Sequence, residues 1–133
     1  MTLVVDASAV VAALLDDGVE GRWCEDQLEE GGLVAPHLLP VEVANIIRRT
    51  EARRLIDASE AAAALAELRR LDVDLVPFEP IADRAWELRA NLTVYDACYV
   101  ATAELVGSRL VTLDQKLAGA PGLRCVVDLA PEA

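Results

Sequence analysis

Several kinds of chemistry are excluded by what this chain has little of. It has one histidine, His37, and one lysine, Lys116, in 133 residues. No Ser–His or Cys–His pairing supplies a protein nucleophile with its base, and no G-x-x-x-x-G-K-S/T loop is present to cradle phosphates. The cysteines are Cys24, Cys98 and Cys125. An odd count without a C-x-x-C pair offers neither a disulfide framework nor a zinc site, and the expected state is three reduced thiols. No apolar run approaches the ~18–20 residues that span a bilayer, so no membrane segment is expected. The opening Met1-Thr2-Leu3-Val4-Val5-Asp6 lacks the basic region of a signal peptide, which makes the cytoplasm the expected location.

What is present is apolar and acidic. The hydrophobic fraction is 54% and the formal net charge is −11. The first allows one buried core, and a single domain over 1–133 is expected. The second argues against coating nucleic acid by bulk charge, but it leaves room for an enzyme that meets nucleic acid through bound cations.

Short β-branched runs alternate with helical segments. Strands are expected at Leu3–Val5, Leu33–Ala35, Val73–Phe78, Leu110–Thr112 and Cys125–Val127. Helices are expected over Ala7–Leu15, Val19–Glu30, Leu38–Arg54, Asp57–Arg70, Pro80–Ala90 and Thr93–Gly107, with a helical turn at Asp114–Leu117. Gly31-Gly32 is a natural helix stop, Pro40 fits a first turn, and Asp57-Ala58-Ser59-Glu60 has capping-box spacing. Short apolar strands separated by helices predict an α/β fold: a three-layer α/β/α sandwich around a mostly parallel sheet of about five short strands.

That architecture gives four acids a possible common address. Asp6 ends the first strand, and Asp114 follows the Leu110–Thr112 strand. Asp96 and Glu42 lie in the first turns of helices. Ligands of open parallel sheets bind beyond the carboxyl ends of the strands. Carboxylates gathered there repel, at about 4 kcal/mol per pair ~4 Å apart in an intermediate dielectric, so protons or hard cations must neutralise them. Each acid also has an ordinary local explanation: Asp6 and Asp114 as helix caps, Asp96 as the partner of Thr93, and Glu42 as a dipole-compatible surface residue.

Four segments carry a resemblance. They are Val4-Val5-Asp6-Ala7-Ser8-Ala9, Pro36–Asn45 with Arg48-Arg49, Leu92–Ala101 around Tyr95-Asp96-Ala97, and Leu110–Leu117 around Thr112-Leu113-Asp114. Together and in this order they resemble the PIN-domain family, and within it the VapC-type toxins of bacterial toxin–antitoxin pairs. The resemblance implies an endoribonuclease dependent on Mg²⁺ or Mn²⁺. It gives metal coordination to Asp6, Asp96 and Asp114, with Glu42 completing the pocket directly or through water. It implies supporting roles for Ser8, Asn45 and Thr112, a homodimer, and a cognate VapB-like antitoxin that inhibits the enzyme. Asn45 stands one turn from Glu42 and could hydrogen-bond its carboxylate or a bound water, with a polar helix-packing role as the competing explanation.

Arg49 and Arg53 share a helix face and, with Lys116, are the candidate RNA contacts. Trp23, Leu14, Leu15 and Leu28 are candidate lining for an antitoxin groove, with ordinary core packing as the competing explanation. Tyr99 is expected to pack, whereas Tyr95 is open to stacking on a base. The reading opposed to an enzyme is a non-catalytic acidic module that binds a basic protein partner.

Overall fold

The computed structural model describes residues 1–132. Its five strands are β1 (Leu3–Val5), β2 (Leu33–Pro36), β3 (Val73–Val76), β4 (Arg109–Thr112) and β5 (Val127–Leu129). They form one sheet in the order β3-β2-β1-β4-β5, and every neighbouring pair is parallel. The central strands are apolar in their middle: Leu3, Val4 and Val5 of β1 and Leu110 and Val111 of β4 are all buried. Such strands need cover on both faces.

Seven α-helices supply that cover: α1 (Ala7–Leu15), α2 (Val19–Glu29), α3 (Leu39–Ala52), α4 (Ala58–Arg70), α5 (Ala82–Glu87), α6 (Val94–Val106) and α7 (Gln115–Ala118). The chain moves from β1 to β2 to β3 through α1–α4. It then returns past β1 to β4 through α5 and α6. Right-handed crossovers in opposite directions put these two helix groups on opposite faces. The packing agrees, with α1, α3 and α4 in mutual contact and α6 lying against β1, β2 and β4. The fold is therefore the expected three-layer sandwich. The reversal between β1 and β4 creates a topological switch point at the middle of the sheet.

Local chemistry sets most boundaries. Asp57 and Glu60 complete the capping box of α4 in both directions. Gly107, at φ 66°, ends α6 in the left-handed conformation that glycine tolerates. Gly21 lets α2 pack closely on the end of α1, since a Cβ there would meet the Asp16 carbonyl oxygen at 1.8 Å.

Four expected boundaries change. Helix α3 stops at Ala52, because Arg54 turns to φ 60° and breaks the helical run. The segment expected as one helix over 80–90 is a 3-10 turn, the short helix α5 and a second 3-10 turn. Strand β5 begins at Val127 instead of Cys125. Pairing of Leu110 with Val127 and of Thr112 with Leu129 fixes that register, and leaves Val126 67% exposed. Strand β3 likewise ends at Val76, two residues early.

The three thiols are unpaired. Burial, followed by the charges of Asp6, Glu20 and Asp16, pushes the Cys24 thiol up to about 12, so it remains protonated and inert. Among the described residues no helix is long and apolar enough to cross a membrane.

One ion pair ties α5, α6 and the 119–126 loop together. Arg84 donates through Nε to Glu104 at 2.6 Å and through Nη2 to the Gly122 carbonyl at 2.7 Å, while the Arg124 N–H donates to Glu104 at 2.9 Å. Burial pushes the Glu104 carboxyl up, but the hydrogen bonds from Arg84 and Arg124 and their charges outweigh it and hold it below the usual 4.5. A depressed carboxyl stabilises the fold above its unfolded pKa, and this contribution disappears as pH falls through the folded value. Arg84→Met is expected to cost about 1.5–3 kcal/mol at pH 7 in denaturant melts. The gap to the wild type should narrow below pH 4.5. A gap that stays constant down to pH 3 would contradict this assignment.

Candidate active site

The site begins at the switch point. Strand β1 ends at Val5, and the Asp6 N–H donates to the Val111 carbonyl of β4, so the first acid is anchored to both central strands. Asp6 is only 6% exposed. Its carboxylate caps α1 through the Ala9 N–H at 3.1 Å, and also accepts from Ser8 Oγ at 2.6 Å and Thr112 Oγ1 at 2.5 Å. The capping role and the site role thus fall to one side chain. Burial raises the Asp6 carboxyl above its ordinary value; the hydrogen bonds from Ser8, Thr112 and Ala9 pull it down, and the Asp96 charge pushes it up again.

Thr112 is fully buried at the end of β4. Its hydroxyl donates to Asp6 and accepts the Asp114 N–H at 3.0 Å. Ser8 in turn accepts the Leu113 N–H at 3.0 Å. Two hydroxyls therefore lock the loop after β4 to the loop after β1. Asp114 caps α7 by accepting from the Lys116 and Leu117 N–H groups. Asp96 sits in the first turn of α6, where the Thr93 hydroxyl accepts its backbone N–H. Burial and then the Asp114 charge raise the Asp96 carboxyl, with the Thr93 hydroxyl acting against them.

Glu42 reaches this edge from the other helix layer. Its Oε1 accepts from Tyr99 Oη at 2.6 Å, joining α3 to α6. Tyr99 is 1% exposed, and burial, followed by this hydrogen bond, pushes its phenol far up. The expected packing role of Tyr99 is therefore incomplete. A buried phenol needs a partner for its hydroxyl, and the i, i+3 spacing from Asp96 was the available signal.

The bond from Asn45 to Glu42 is not formed. Asn45 Oδ1 accepts from Arg48 Nε at 3.0 Å, and its NH₂, the group that a carboxylate would accept from, makes no hydrogen bond among the described residues. Lys116 lines a cleft of about 380 Å³ with Asp96 and Asp114. Arg49 lines a separate cleft with Glu42 and Tyr95. Arg53 lies at the exposed end of α3 and joins neither. Leu14, Leu15, Trp23 and Leu28 are partly buried against the main core, as ordinary packing requires.

Among the described residues, none of the four acids is in an ion pair with lysine or arginine. Nor, among the described residues, does any group of three or more acids, histidines or cysteines stand where it could hold a metal ion by itself. The donors are hard oxygens with raised carboxyl pKa values at Asp6 and Asp96. That chemistry suits Mg²⁺ or Mn²⁺, which keep several waters and take one or two carboxylates together with substrate phosphates.

Comparison with known proteins identifies the family. The family model for the PIN domain matches residues 3–123. A VapC ribonuclease of Mycobacterium bovis is 40% identical over 129 residues, covering 97% of this chain and 98% of the relative. Ribonuclease VapC1 of Mycobacterium tuberculosis is 42% identical over 127 residues, covering 95% and 96%. The crystal structure of VapBC2 from Rickettsia felis bound to a promoter DNA fragment shares the fold, with a TM-score of 0.70, 12% identity and coverage of 97% and 98%. Matched by that model over most of its length and by these relatives almost end to end, the chain belongs to the PIN domain family, in its VapC group.

Proposed function

We propose that this chain is the toxin of a VapBC-type pair, an endoribonuclease that cleaves RNA with Mg²⁺ or Mn²⁺ at Asp6, Glu42, Asp96 and Asp114. The observation that carries this reading is a run of carboxylates at the β1/β4 edge, in which the Asp96 charge bears on Asp6 and the Asp114 charge on Asp96, without a lysine or arginine ion pair among the described residues. Asp6, Asp96 and Asp114 are the residues that would hold the ion, and Glu42 would do so directly or through water. A divalent ion bound there supplies charge neutralisation for the phosphate and a lowered pKa for the attacking water.

The protein's own part is orientation and charge. Ser8 and Thr112 hold the Asp6 carboxylate in one rotamer. Tyr99 fixes one oxygen of Glu42 and leaves the other to accept from water. Lys116, beside Asp96 and Asp114, is placed to meet a phosphate oxygen. With four carboxylates at the centre and a net charge of −11, the surface does not attract RNA at long range, so such local contacts must hold the strand. A cognate VapB-like antitoxin and a second copy of the chain belong to the same reading.

Purified chain, freed of any bound antitoxin, is expected to cut single-stranded RNA in Mg²⁺ or Mn²⁺ and to stop when the ions are chelated. Tight binding of a basic protein with no RNA cutting in either ion would replace the enzyme with an acidic interaction module.

A further inference from the structure

Beside the acids lies a cleft of about 450 Å³ whose walls include Val41, Glu42, Asn45 and Arg49 of α3 and Tyr95 of α6. Sites for small organic groups usually fall between about 300 and 1,000 Å³. The position of Tyr95 follows from the fold. Its neighbour Asp96 turns toward the acidic edge, while Tyr95 itself is 66% exposed at the start of α6. Exposing a large ring is costly unless something covers it. Another strongly exposed ring, Trp86, carries the Arg89 guanidinium at 4.5 Å from its centroid. Among the described residues no guanidinium covers Tyr95 in this way.

The remaining wall is polar in a specific manner. Arg49 is exposed and in no ion pair among the described residues. Asn45 uses its carbonyl oxygen for Arg48, and its amide NH₂ remains a donor toward the cleft. One aromatic ring one residue from Asp96, one amide donor one turn from Glu42 and one guanidinium about two turns from Glu42 therefore line the same cleft. Unpaired bases stack on aromatic rings and are read at their edges by amides, while a guanidinium takes the phosphate.

We propose that this cleft seats one unpaired base of the RNA next to the phosphate being cut, with the base stacked on Tyr95, its edge accepting from Asn45, and the adjoining phosphate on Arg49. The assignment rests on the ribonuclease reading and adds a reason for selectivity. A base held in a duplex cannot enter the cleft, so the enzyme selects loops and single strands.

The test is photo-crosslinking of the full chain to single-stranded RNA carrying 5-iodouridine, in chelator so that the strand stays intact, followed by peptide mapping. The expected crosslink is at Tyr95, retained in Tyr95→Phe and lost in Tyr95→Ala. Kinetics on wild-type and variant enzyme provide the second arm. Tyr95→Ala should lower kcat/KM about 5- to 100-fold, mainly through KM, because stacking contributes on that scale, and Tyr95→Phe should restore it. Replacing the stacked base by an abasic site should penalise the wild type and leave Tyr95→Ala unaffected. Crosslinks mapping elsewhere, no crosslink at all, or an undiminished kcat/KM in Tyr95→Ala overturns the base site while leaving RNA cutting intact. A crosslink at Tyr95 without RNA cutting in Mg²⁺ or Mn²⁺ supports the base site and removes the ribonuclease reading.

Discussion

Asp96→Asn is expected to lower the rate of RNA cutting by about 10³-fold or more, since losing a ligand that stabilises phosphate charge through the ion forfeits several kcal/mol. The substitution preserves shape. The Thr93 cap of α6 accepts from the Asp96 backbone N–H, which asparagine retains. Stability should not fall. The Asp96 carboxyl is pushed up by burial and by Asp114, so its charge costs folding energy at neutral pH. A raised carboxyl pKa means that the folded state gains stability as pH falls, and an uncharged amide obtains that gain at every pH. The melting temperature in chelator is therefore expected to match or exceed that of the wild type. An Asp96→Asn protein that cuts RNA at the wild-type rate would remove the third acid from the mechanism.

Thr112→Val should cost both stability and activity. Valine fills the same volume but lacks the hydroxyl that spans Asp6 and the Asp114 N–H. The variant leaves a buried carboxylate short of a donor and a backbone N–H without its acceptor. Each loss is worth about 1–3 kcal/mol, so a total of roughly 2–6 kcal/mol is expected in chelator-treated denaturant melts. The loop carrying Asp114 is no longer pinned to Asp6. Loss of a group that orients a metal ligand typically lowers affinity or activity about 10–100-fold. Thr112→Ser, which keeps the hydroxyl, should recover most of both. A Val variant as stable and active as the Ser variant would show that the hydroxyl bridge does not organise the site.

The central part of the fold was legible because its signals are local. Leu3-Val4-Val5 and Leu110-Val111-Thr112 are β-branched runs bounded by polar residues, and they form adjacent strands. The edges were less legible. Val126 is as apolar as its neighbours, yet register with β4 puts the strand at Val127–Leu129 and Val126 in water. The segment over 80–90 has helical composition, but Pro80 and the return toward α6 split it into three short turns.

The site divides in the same way. Sequence placed Asp6 and Asp114 beyond strand ends, because that depends on neighbours in the chain. The contacts that orient them do not. Thr112 meets Asp6 across 106 residues of sequence, and Tyr99 meets Glu42 across 57. No periodicity reports such a meeting; it needs the crossover that brings β4 beside β1 and Tyr99 of α6 within reach of Glu42 of α3. Asn45 illustrates the converse. Helical spacing put it on the face of Glu42, yet its one hydrogen bond among the described residues is to Arg48, which spacing alone does not report.

The account stands on a divalent cation held among Asp6, Glu42, Asp96 and Asp114. Titration of the antitoxin-free chain with Mn²⁺, followed by electron paramagnetic resonance, reads that directly and needs no knowledge of the RNA. The wild type should bind Mn²⁺ and release it to excess Mg²⁺. The Asp6→Asn and Asp96→Asn proteins should each bind at least about 10-fold more weakly, in line with loss of a coordinating or orienting group. Equal Mn²⁺ affinity in the wild type and both variants would contradict the account.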